Sequence, residues 1–196
     1  MRRGWRAVLV AAALLVLVAC GGPATAPEAS PPVSPSPDLR PTQASSQGPA
    51  RNVPKPELPE AARQNTKEGF EAFTQYWFDA ATYSFESGDS AALDAVSAND
   101  CKVCNAYISD IDQLRSSQGW ASGPSWKISQ FSSNMIRDPL AQVVGYFLLE
   151  ESPSTIFATD GTVAKSRKGG NNGNAKAAFA SFESGLWSMR QLGQAP

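Results

Sequence analysis

Not one of the 196 residues is histidine. That removes Ser-His-Asp and Cys-His nucleophiles, histidine general bases and histidine-ligated metals together. Positive charge is also scarce: 17 Lys and Arg stand against 18 Asp and Glu, a net charge of −1. A nucleic-acid binder needs a basic footprint to neutralise phosphate, so that class is excluded as a partner. No apolar run reaches membrane-spanning length. The longest, residues 7–19, would rise only about 20 Å as a helix against a bilayer core of roughly 30 Å. The nucleophile-elbow, zinc-protease, calcium-loop and phosphate-loop patterns are missing too. The run Gly169-Gly170-Asn171-Asn172-Gly173 lacks the lysine and the following helix of a phosphate cradle.

What is present divides the chain into three parts. Residues 1–19 carry Arg2, Arg3 and Arg6 and no acid, followed by the apolar run. Those flanks and that length read as a secretory signal peptide. The run ends Leu17-Val18-Ala19-Cys20 and resembles the lipobox of bacterial lipoproteins. The resemblance implies cleavage after Ala19, lipidation of Cys20 by diacylation and palmitate-type chains, and a cell-membrane anchor on the extracytoplasmic face. Two acyl chains anchor stably where one does so marginally. The alternative is an ordinary secreted protein with a chance cysteine. Residues 20–64 follow, and eleven of the fifteen prolines lie between Pro23 and Pro59. With few large apolar side chains this stretch cannot offset its ordering entropy, so it reads as a disordered Pro/Ala/Ser-rich tether. A proline-rich ligand or a glycosylated stalk are the other readings.

The folded domain is expected over 65–194. Asn65 with Glu68 suggests a capping box opening a long helix over 66–87. Phe70, Phe73, Trp77, Ala80, Ala81 and Ser84 form its apolar stripe, and Gly88 ends it. Asp79 falls with Gln75, Thr82 and Glu86 on the opposite, solvated face. A short helix around Leu93 and a third over 102–117 follow. Beyond Ser125 the period changes to that of strands. Residues 140–149 are apolar on both alternations, as in a doubly covered central strand. Residues 156–165 read as a hairpin closed by the two-residue turn Asp160-Gly161. Residues 175–192 form a last hairpin around Ser184-Gly185. Helices segregated from a run of hairpins predict an α+β fold with about six antiparallel strands wrapping the aromatic helix.

The long aromatic helix, Gly88-Asp89, the short helix ending near Ser97, and Cys101-x-x-Cys104 resemble an actinobacterial lipoprotein family of unknown function. That resemblance implies a cystatin-like cone, of the ketosteroid-isomerase and nuclear-transport-factor type. It implies no activity, because this scaffold serves enzymes, carriers and interaction modules alike.

Once Cys20 is acylated, two cysteines remain in an oxidising compartment. A Cys101–Cys104 disulfide is the simplest reading, contributing about 2 kcal/mol for so short a loop. A redox pair at a helix N-terminus and a zinc site completed by carboxylates are the alternatives. No catalytic residue, metal or cofactor is expected. Asp79 is tempting as a buried base, but its helical spacing places it in solvent. The favoured reading is a non-catalytic interaction module displayed towards envelope proteins or a cell-wall polymer. The alternative is a carrier or sensor holding a small apolar ligand in the cone, against Trp77, Trp126 and Tyr146. A third reading is an enzyme using a buried carboxylate or the thiol pair.

Overall fold

The computed structural model describes residues 38–171 and 173–196. The expected signal peptide, Cys20 and the first part of the tether lie outside the described residues.

Helix α1 (Lys67–Ser87) forms because its apolar side chains recur at helical spacing and its first turn is capped. The cap is Thr66, one residue later than expected: its Oγ1 accepts from the Gly69 amide at 3.0 Å. Every residue of the expected stripe is buried, and so are Thr74, Tyr76 and Phe78. The helix is therefore enclosed on much more than one stripe. Its two buried hydroxyls are satisfied within the helix, Thr74 Oγ1 donating to Phe70 O and Ser84 Oγ to Ala80 O. Gly88 closes α1 in the left-handed region, φ 75°, where a side chain is disfavoured. Asp89 Oδ1 then accepts from Ala91 N at 3.0 Å and starts α2 (Ala91–Asp94). Helix α3 (Lys102–Ser116) matches its expected span within one residue.

Among the described residues seven strands follow, not six, in two antiparallel sheets. β2 (Trp126–Ser132), β3 (Val143–Glu151), β6 (Lys176–Glu183) and β7 (Leu186–Gln194) form a sheet ordered β2-β3-β6-β7. β1 (Trp120–Ser122), β4 (Ser154–Phe157) and β5 (Val163–Arg167) form the other, ordered β1-β4-β5. The sequence conceals β1 because three residues are too few to show a period. Pairing with Phe157 and Ile156 of β4 defines it.

Two strand expectations are corrected. β3 is not doubly covered: Val143, Gly145, Phe147 and Leu149 are buried, whereas Tyr146 is 36% exposed and Leu140, ahead of the strand, is 74% exposed. The helices pack on one face only, so the outward apolar residues stay partly in water. The β4–β5 hairpin closes over residues 158–162 rather than a two-residue turn, through Ala158 N→Thr162 O and Gly161 N→Ala158 O. Asp160 Oδ1 organises that loop by accepting from Thr162 N and Oγ1. The β6–β7 hairpin turns on Ser184 and Gly185, both at positive φ, as expected of a two-residue turn.

The edge strand β2 is blunted by a side chain. Gln75 Nε2 donates to Trp126 O at 3.0 Å, and Gln75 Oε1 accepts from Ile128 N at 3.0 Å. The carboxamide thus takes the place of a neighbouring strand, one of the ways an exposed edge is managed.

The domain also begins earlier than residue 65. Residues 38–64 lie against it, held by side-chain donors that meet their backbone carbonyls. Trp120 Nε1 donates to Ser45 O, Ser122 Oγ to Ala44 O, and Trp187 Nε1 to Gln64 O. Ala62, in a 3-10 turn over Glu60–Arg63, is 1% exposed. Local composition correctly reports few apolar anchors here but is blind to donors arriving from elsewhere in the chain.

Candidate functional site

The aromatic residues of α1 meet those of α3 and β2 in one cluster. Tyr107 on α3 lies 5.3 Å from Trp77 and 5.6 Å from Trp126, ring centre to ring centre. Phe85 stands 6.0 Å from Tyr107 and 6.1 Å from Trp126. Such edge and tilted contacts are the favoured aromatic geometries. Trp77 is fully buried, and its Nε1 donates to Ser97 Oγ at 2.9 Å, which in turn donates to Leu93 O. Burial pushes the Tyr107 phenol up to about 12, with the negative charges of Glu151 and Asp110 adding to the shift and Arg167 opposing it.

The expected ligand trio is therefore divided. Trp77 and Trp126 share the cluster, bridged by Tyr107, but Tyr146 points away from the core on β3. Where the cone reading places an apolar ligand beneath Trp77, the protein's own rings stand. No buried side-chain polar atom among the described residues lacks a partner there.

Two clefts open elsewhere, and none of the trio lines either. The first, about 210 Å³, lies between the ends of α1 and α3, with Phe85, Ile111, Leu114 and Trp120 as walls and Glu86 and Arg115 as its charged groups. The second, about 590 Å³, is polar, with Lys127, Glu150, Glu151 and Lys168 around it. Spacing assigns Glu86 to the solvated face of α1, but it is half-buried, because α3 and Trp120 cover that end of the helix. Burial raises its carboxyl above the usual range. Helical periodicity carries no signal for this, since the cover arrives from distant residues.

Asp79 sits where its spacing placed it, exposed and accepting from Gln75 Nε2 at 2.8 Å. Cys101 and Cys104 form a disulfide with sulfurs 2.02 Å apart, and both residues are 0% exposed. Cys101 Sγ also accepts from Cys104 N, so the pair caps and pins the first turn of α3. Among the described residues no group of three His, Cys, Asp or Glu could hold a metal, and no helix is long and apolar enough to cross a membrane.

The profile of a family of unknown function matches residues 41–193. The chain belongs to that family, DUF6318. The match begins within the docked N-terminal segment, in keeping with the structural boundary rather than with residue 65. None of the curated proteins matches this DUF6318 chain. Among solved structures, the intermembrane space region of the chloroplast protein ARC6 is similar at 10% identity and TM-score 0.46, over 66% of this chain and 95% of that one. Bd1075 of Bdellovibrio bacteriovorus is similar at 13% identity and TM-score 0.39, over 66% of this chain and 41% of that one. Aln2 from a Streptomyces species is similar at 9% identity and TM-score 0.39, over 64% of this chain and 89% of that one. None of these likenesses assigns an activity to the DUF6318 domain.

Proposed function

We propose that this protein is a lipoprotein, anchored through Cys20 on the extracytoplasmic face of the cell membrane, whose domain is a non-catalytic interaction module for an envelope protein or a cell-wall polymer. We read the helices on the four-stranded sheet as a cone of the ketosteroid-isomerase type, with its interior occupied by side chains. The observation that carries the module reading is the outward face of that sheet. Val144, Tyr146 and Leu148 of β3 and Phe179 of β6 share this face, by register and alternation. All four stay outside the core cluster. Grouped apolar side chains left partly in water are a mark of an interaction surface. The filled interior, with Trp77 fully buried, favours recognition on the outside over a ligand held within.

Two measurements test this. Cys20→Ala should move the protein from the membrane fraction to the soluble extracytoplasmic fraction, and retention in the membrane would sink the anchor. Tyr146→Glu should keep the far-ultraviolet spectrum and melting temperature of the parent while abolishing retention on isolated cell-envelope preparations. Unchanged retention would remove the sheet face from the account.

A further inference from the structure

The cleft between the ends of α1 and α3 contains a chemical mismatch. Its walls are Phe85, Ile111, Leu114 and Trp120, yet Glu86 lines it as well. Glu86 makes no hydrogen bond or ion pair among the described residues. A carboxylate partly withdrawn from water without a partner is costly, and burial alone accounts for the upward displacement of its carboxyl. Arg115 is the other charged lining residue, but it is exposed and its Nη1 is directed at Gly88 O, 3.5 Å away. Ser87, the last residue of α1, also lines the cleft, and helix C-termini carry partial negative charge. The cleft is thus apolar in its walls, with one unpaired carboxylate among them.

We propose that this cleft is a binding site for a small organic ammonium ion, a primary amine carrying a short apolar or aromatic tail. The ammonium would pair with Glu86 while the tail lies against Leu114 and the Phe85 and Trp120 rings, where aromatic faces also attract cations. An anion would face the unpaired Glu86 and is disfavoured. A neutral apolar molecule of the same shape would desolvate Glu86 further and leave it unpaired, so it binds more weakly. Size limits the class: about 210 Å³ lies below the roughly 300–1,000 Å³ of sites for drug-sized ligands. The occupant is a single small amine or one terminal amine of a larger molecule.

The test is a titration of the full-length protein in non-ionic detergent with phenethylammonium, followed by the indole N–H resonance of Trp120 in nitrogen-edited proton spectra. A saturable shift is expected. Phenethyl alcohol, which has the tail without the charge, should require roughly tenfold more ligand for the same shift. Glu86→Gln, nearly identical in shape, should weaken the amine by about tenfold or more while keeping the parent melting temperature or raising it. Arg115→Gln removes a like charge from the rim and should leave amine affinity unchanged or improved. The proposal is overturned by the absence of saturation, by equal affinity for amine and alcohol, by a Glu86→Gln variant that binds as the parent does, or by loss of binding in Arg115→Gln.

Discussion

Gly145 occupies the middle of β3, opposite Ala178 of β6, at a point where the core leaves no room for a methyl group. A Cβ there would overlap Phe131 Cζ, lie 2.7 Å from Phe131 Cε2 and 3.0 Å from Phe70 Cε1. Ordinary carbon–carbon contact is about 3.5–4.0 Å, so the Phe131 ring would have to retreat by roughly 1 Å. Its retreat is hindered, because Phe131 packs edge-on against Phe70 at 5.3 Å and lies parallel to Phe147 at 6.3 Å. Overpacking of this kind costs about 1–3 kcal/mol. Against it stands the backbone advantage of alanine over glycine in a strand, about 0.5–1 kcal/mol. Gly145→Ala should therefore destabilise by about 1–2 kcal/mol, a fall in melting temperature of roughly 3–6 °C for a domain of this size. The assay is urea unfolding followed by tryptophan fluorescence, with the cycle completed by Phe131→Ala. In the Phe131→Ala background the added methyl enters vacated space, and Gly145→Ala should become neutral or stabilising. A single variant as stable as the parent would refute the steric argument. So would a penalty of equal size in both backgrounds, which would trace it to the backbone.

Gln75→Ala should cost about 1–2 kcal/mol in the same assay by leaving Trp126 O and Ile128 N of the β2 edge without their partner. Gln75→Glu should cost more at pH 7 than at pH 4, because an ionised carboxylate would face both Trp126 O and Asp79. Absorbance titration at alkaline pH should show one phenol ionising near 12 that disappears in Tyr107→Phe. Because the folded phenol is raised above its unfolded value near 10, the unfolded chain loses its proton first. Stability from this group is thus complete below pH 10 and falls by up to about 3 kcal/mol as pH rises from 10 to 12. Equal alkaline stability of the parent and Tyr107→Phe would contradict it.

The helices were legible because their determinants are local. Phe70, Phe73, Trp77, Ala80, Ala81 and Ser84 declare a buried stripe by spacing alone, and each is at most 1% exposed. Gly88 is legible as a stop because only a left-handed residue ends α1 as it does. The solvated position of Asp79 follows from the same spacing. The strands were legible in part: the β6–β7 hairpin announces itself through Ser184-Gly185, while β1 is too short to show a period. The candidate cleft was not legible, since Glu86 belongs by spacing to a polar face and is covered by residues from α3 and β1 that its own neighbours do not foretell.

By itself, the sequence determined the properties that depend on near neighbours and on composition. These are the α+β class, the three helices and the hairpins, the proximity of Cys101 and Cys104 and, through the total absence of histidine, the exclusion of imidazole chemistry. The tertiary structure alone decided how the strands divide into two sheets, that residues 38–64 dock on the domain, which face of β3 meets water, and which carboxylate is withdrawn from it. Each of those outcomes depends on contacts between residues far apart in the chain. The indole of Trp120 reaching Ser45 O and the Gln75 amide closing the β2 edge are two such contacts, and no local pattern specifies them.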